Sequence, residues 1–133
     1  MKNIFHSLLI ITLFSFLFSA CKKKDVQLTT AEKVQGTWQL QTDIYHEFIN
    51  GIDQSDTTIG ANMTIEFRND GKVYSNNQGQ KDTTTYTLSG DTQIIIDQDQ
   101  IYQIKTLTSN SFILYYKETQ GADFSEETIT LKK

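Results

Sequence analysis

The sequence predicts an all-β fold: a small antiparallel up-and-down barrel of eight or nine strands. A short helix and a signal segment precede it. Three observations carry this. Apolar and polar residues alternate with period two in short runs, and turn residues recur every 8–12 residues. Among 133 residues there is no Pro, which leaves every ladder N–H free to pair. Only one stretch, near residue 30, reads as helix, and none sustains the i, i+3, i+4, i+7 apolar spacing of a longer one.

The elements follow in chain order. Residues 1–20 begin Met1-Lys2-Asn3, continue with the apolar run Ile4 to Phe18 and end in small Ser19-Ala20. A basic start, an apolar run and small residues before a cut site form a secretory signal. The run falls short of the ~20 residues a membrane-spanning helix needs. Residues 21–29 read as a polar tether. Thr29-Thr30-Ala31-Glu32 has the capping-box form and starts one or two helical turns that Gly36 stops. The barrel domain is placed at residues 30–133.

The first strand is long. Trp38, Leu40, Thr42, Ile44, His46 and Phe48 alternate with polar or amphipathic neighbours, so period two puts all six on one face. Asn50-Gly51 supplies the two positive-φ residues of a type I′ hairpin. A weaker strand is expected over 53–59, then one carrying Met63, Ile65 and Phe67. Asn69-Asp70-Gly71 turns the chain into Val73-Tyr74, and a loop at Gly79 precedes Tyr86 and Leu88. Ser89-Gly90-Asp91 leads to Ile94-Ile95-Ile96. Gln98-Asp99 turns into 101–107, Ser109-Asn110 into 112–116, and Ile129 and Leu131 close the chain. The expected inward set contains Trp38, Leu40, Ile44, Met63, Ile65, Phe67, Val73, Tyr86, Leu88, Ile94, Ile96, Ile104, Leu107, Phe112, Leu114, Ile129 and Leu131. An eight-stranded meander closes on itself and so removes its edges, and side chains this bulky nearly fill it.

Composition narrows function. The body from residue 25 onward carries eight Lys and Arg against sixteen Asp and Glu, net −8, which excludes a nucleic-acid binder. One Cys rules out an internal disulfide. Only His46 remains after the signal, so no zinc site is expected, and no carboxylates stand in EF-hand spacing. There is no Gly-x-Ser-x-Gly elbow, and the glycines open no helix that could cradle phosphate. An enzyme is not expected, nor is a cofactor or metal.

Two resemblances add to this. Leu17-Phe18-Ser19-Ala20-Cys21 resembles the lipobox of bacterial lipoproteins, which implies that Cys21 receives a diacylglycerol and becomes the N-terminus. The lone thiol lies where a lipid would consume it. Acyl chains at ~0.8 kcal/mol per buried methylene would anchor the protein to the membrane. Lys22, Lys23 and Lys24 form a basic collar beside the anchor. By the same resemblance, Lys22 rather than Asp after Cys21 implies transfer to the outer membrane. With only Asp25 acidic nearby, a periplasm-facing position is expected, cell-surface exposure being the alternative. Asp56-Thr57-Thr58 and Asp82-Thr83-Thr84 resemble an acceptor motif for O-glycosylation in some Gram-negative periplasms, at Thr57 and Thr83.

Gly36-Thr37-Trp38 resembles the Gly-x-Trp motif of lipocalins. Phe67-Arg68-Asn69-Asp70-Gly71-Lys72, Tyr86-Thr87-Leu88-Ser89-Gly90-Asp91 and Ile104-Lys105-Thr106-Leu107-Thr108 resemble later strands of the lipocalin-like domains of small bacterial lipoproteins. The resemblance implies a barrel that binds a small apolar or amphipathic ligand. Lipocalins set a basic residue of the last strand over that Trp; this chain ends Leu131-Lys132-Lys133 and its one Arg is Arg68. Trp38 is read as the plug of one barrel end. His46 shares its parity eight residues along, or ~26 Å, at the opposite mouth. Tyr86 and Tyr116 are the candidate aromatics beside it. Any pocket should be small and confined to that mouth. The alternative is a filled barrel acting as a structural or interaction lipoprotein through its acidic surface.

Overall fold

The computed structural model describes residues 27–60 and 62–133. The signal segment, Cys21 and the basic collar lie outside the described residues. The chain forms α1 (Thr30–Val34), β1 (Gly36–Ile49), β2 (Ile52–Ile59), β3 (Met63–Phe67), β4 (Lys72–Asn77) and β5 (Gln80–Ser89). β6 (Gln93–Ile96), β7 (Gln100–Leu107), β8 (Ser111–Gln120) and β9 (Asp123–Lys132) follow. In α1 the capping box is complete: Thr29 N donates to Glu32 Oε2 at 2.8 Å and Glu32 N to Thr29 Oγ1 at 3.3 Å. Asn50 and Gly51 both take positive φ, 53° and 79°, in the two-residue link of the first hairpin.

Neighbouring strands pair antiparallel in the order β2-β1-β3-β4-β5-β6-β7-β8-β9, and β1 also pairs with β9. That last pairing closes an eight-stranded barrel. β2 is a ninth strand outside the closure. Along one edge β1 first pairs with β3, over Gly36 to Gln39, and then with β2, over Thr42 to Ile49. The β1–β2 hairpin is thus an arm branching from the wall, with every residue of β2 exposed.

A bulge at Gln41 governs what β1 does. Leu40 pairs with Leu131 but Thr42 pairs with Thr130, so two residues of β1 advance against one of β9. Gly60 N donates to Gln41 O at 3.1 Å, fastening the bulge to the β2–β3 link. A side chain at Gly60 is excluded, because its Cβ would lie 2.5 Å from Leu40 Cγ. The bulge reverses alternation, so past it Asp43, Tyr45 and Glu47 face inward. The expected inward positions of Ile44 and His46 are therefore corrected: Ile44 is 42% exposed and His46 lies on the outer face. A second bulge, between Ile104 and Thr106, lets Ile104 and Leu107 both face the core.

The core gathers at the start of β1. Trp38, Phe67, Ile94, Phe112, Leu114, Leu131 and Val34 are essentially inaccessible. The Trp38 ring packs on Phe112 at 5.3 Å, and its Nε1 donates to Val34 O at 2.7 Å, tying α1 across the barrel end. Lys133 supplies the basic lid: its Nζ sits 4.4 Å from the Trp38 ring centroid and donates to Gln35 O at 2.9 Å. Lys133 thus takes the place over Trp38 that Arg68 does not, since the Arg68 side chain lies on Tyr74 and Glu66.

Candidate functional site

The other end of the barrel has a different chemistry. Beyond Leu40 and Leu131 the inward positions become polar and aromatic: Asp43, Tyr45 and Glu47 on β1, Tyr102 on β7, Tyr116 on β8, and Glu127 and Ser125 on β9. Strand register sets Asp56, Tyr45, Glu127 and Tyr116 in one row across four strands. Tyr102 is 5% exposed; its hydroxyl donates to Glu127 Oε2 at 2.5 Å and its ring lies 5.6 Å from that of Tyr116. Further out, Tyr45 donates to Glu47 and Tyr116 to Glu118, each at 2.8 Å.

Electrostatics single out Asp43 and Glu127. Burial raises both carboxyls above the ordinary carboxylate range. They face each other, and Asp56 adds further repulsion at Asp43. Asp43 Oδ1 is buried and has no hydrogen-bonding donor among the described residues. Two carboxyls in this position hold a proton more readily than either would alone. Burial, then Glu127, pushes the Tyr102 phenol up. No Lys, Arg or His takes an inward position on these strands among the described residues. A hollow of about 170 Å³ lies beyond them, lined by Ile49, Glu118, Gln120, Asp123, Phe124 and Ser125. That is below the ~300–1,000 Å³ of usual ligand sites.

The three candidate residues separate. Tyr116 belongs to this mouth. Tyr86 does not: its ring packs edge-on to Phe67 at 5.3 Å and its hydroxyl donates to Arg68 O at 2.9 Å, at the Trp38 end. His46 is outside the wall, where Nε2 meets Asp53 Oδ1 at 2.8 Å and Nδ1 meets Glu126 Oε1 at 3.2 Å. Asp53 and then Glu126 raise the imidazole pKa. Glu126 also accepts from Tyr115 at 2.9 Å and Lys117 at 3.1 Å, and is held at about 2. With both ring nitrogens engaged, His46 has none free to act as a base. Thr57 and Thr83 are exposed on β2 and β5, each with its backbone N–H donating to the preceding aspartate. Trp38 is sealed from the mouth by the core.

Sequence reasoning missed Asp43, Tyr45, Tyr102 and Glu127. The available signal lay in β9, where the face of Leu131 and Ile129 continues as Glu127 and Ser125. An inward face that turns polar toward one end marks a mouth.

An eight-stranded antiparallel barrel plugged by the tryptophan of Gly36-Thr37-Trp38, under a basic lid, defines the lipocalin class. The family model described as a lipocalin-like domain matches residues 34–114, and the chain belongs to that family. A search of curated proteins finds no match.

Proposed function

We propose that this chain is a lipid-anchored lipoprotein of the bacterial envelope whose mouth holds a small amphipathic ligand with a cationic head. One observation carries the reading of the ligand: the desolvated Asp43–Glu127 pair, flanked by three tyrosines and, among the described residues, by no inward cation. An ammonium group beside the pair would compensate both carboxylates, and phenol faces attract cations. The hollow of about 170 Å³ lies further out, lined by Glu118, Asp123 and Ser125 rather than by the pair, so the pair itself offers little room and favours weak binding of a compact ligand. The anchor at Cys21 and the outer-membrane, periplasm-facing position rest on the lipobox resemblance. The family fold suits binding rather than catalysis.

The test titrates the full chain with hexylamine, hexanol and hexanoate, following tyrosine side-chain NMR signals. Hexylamine should bind in preference, shift Tyr45, Tyr102 and Tyr116, and release protons. Equal or better binding of hexanoate would refute the cationic head.

The packed interior supports a second reading, a filled barrel that works through its acidic outer surface. Absence of binding by all three probes would favour it.

A further inference from the structure

A larger hollow lies outside the wall. Over the outer faces of β1, β3, β4 and β5 there is a groove of about 430 Å³, within the range of small-molecule sites. Register lays two rows across it, Thr37–Glu66–Tyr74–Thr83 and Thr64–Asn76–Lys81. Thr64, Glu66, Tyr74 and Asn76 point away from the core yet are half-buried, while Thr37, Lys81 and Thr83 at the ends of the rows are exposed and form the rim. These side chains shelter one another around a depression.

The lining defines the ligand by exclusion. It contains no aliphatic side chain, so a hydrophobic molecule gains little. Its charges balance, Arg68 and Lys81 against Glu66 and Asp82, although the body as a whole is strongly acidic. A strongly ionic ligand therefore finds no net field. What remains is a dense set of neutral and paired hydrogen-bonding groups. Arg68 stacks on Tyr74 at 4.0 Å and donates to Glu66 at 2.8 Å, which fixes three planar groups together. Asn76 Oδ1 accepts from Gly79 N at 3.0 Å, leaving its amide hydrogens to donate. Lys81 makes no ion pair among the described residues. Hydroxyls on adjacent strands repeat at ~4.8 Å, comparable with the width of a pyranose ring. All but Arg68 sit on strands, so little ordering cost attends binding.

We propose that this groove is a second binding site, for a short neutral saccharide. Thr64, Asn76 and Lys81 meet ring hydroxyls, and the Arg68–Tyr74 stack forms one wall. The site is independent of the mouth, from which the barrel wall separates it.

The test is saturation-transfer NMR on the full lipid-anchored chain in nanodiscs, with maltotriose, chitotriose and the acidic trigalacturonate as probes. At least one neutral trisaccharide should give saturable transfer. Tyr74→Ala should weaken it about tenfold or more. Thr64→Val, which keeps the shape and replaces the hydroxyl with a methyl, should weaken it with little change in the thermal midpoint. Glu127→Gln in the mouth should leave it unchanged. Transfer from neither neutral probe, preference for trigalacturonate, or loss on Glu127→Gln would overturn the proposal.

Discussion

Replacing Trp38 with Ala should be the most damaging single change at the closed end. The indole is fully buried against Phe112, its Nε1 satisfies Val34 O at 2.7 Å, and Lys133 lies over its face at 4.4 Å. Truncating a large core aromatic costs ~3–5 kcal/mol through lost transfer energy and the cavity left behind. The unpaired Val34 carbonyl adds about 1 kcal/mol unless water reaches it. At roughly 4 °C per kcal/mol for a domain near 100 residues, the thermal midpoint should fall by about 12–20 °C. Trp38→Phe keeps most of the volume and loses the N–H, so its cost should be ~1–3 kcal/mol. Chemical unfolding followed by circular dichroism measures both. A cost under about 1 kcal/mol for Trp38→Ala would refute the plug, since no fully buried tryptophan with a satisfied N–H is lost so cheaply.

Three more expectations concern the mouth, the outer clasp and the anchor. Asp43 and Glu127 titrate above their unfolded values, so the stability linked to their protons is present in acid and lost as pH rises through the raised pKa values. Glu127→Gln keeps an acceptor for Tyr102 and should raise the unfolding free energy at neutral pH, by about 1 kcal/mol or less after solvent screening, and flatten its decline with pH. The His46 titration, read by NMR, should have its midpoint above 6.5, because Asp53 and Glu126 favour the imidazolium; their support fades as pH rises through that raised value. Glu126→Gln should lower the midpoint, and no movement would break the assignment. Mass spectrometry of membranes should find Cys21 at the N-terminus carrying acyl mass, and Cys21→Ser should leave unlipidated precursor; a soluble product cut elsewhere contradicts the lipobox.

Much of the barrel was legible because its signals are local. Turn residues at Asn50-Gly51, Asn69-Asp70-Gly71 and Ser89-Gly90 bound the strands where the structure has them. The bulge at Lys105 also left a trace: Ile104 and Leu107 cannot both face inward at period two unless a residue intervenes. The bulge at Gln41 left none within β1. Trp38, Leu40, Thr42, Ile44, His46 and Phe48 alternate as an unbroken strand does, and only the paired strand shows that the inward face changes partway. The mouth was hidden for the same reason. Its members sit on β1, β7, β8 and β9 and meet only through register. Lys133 was equally obscure, since its role depends on the chain end folding back over Trp38.

Deleting Gln41 tests how firmly this one residue sets the chemistry of both faces. Without it Thr42 follows Leu40 directly, and the pairs Leu40–Leu131, Thr42–Thr130 and Asp43–Ile129 become one unbroken ladder. Asp43, Tyr45 and Glu47 therefore stay inward, and His46 stays outside against Glu126 and Asp53. His46 should still titrate above its ordinary value, Glu126 should stay at about 2, and Asp43 and Glu127 should stay raised. What the deletion removes is the link from Gly60 N to Gln41 O, and the crowded Leu40–Gly60 approach must readjust, so stability should fall. NMR titration of Glu126 and Glu127 with chemical unfolding reads both effects. If Glu126 instead rises toward an ordinary carboxylate and Glu127 falls, the two faces have exchanged, and Gln41 is not the extra residue that sets the phase of β1.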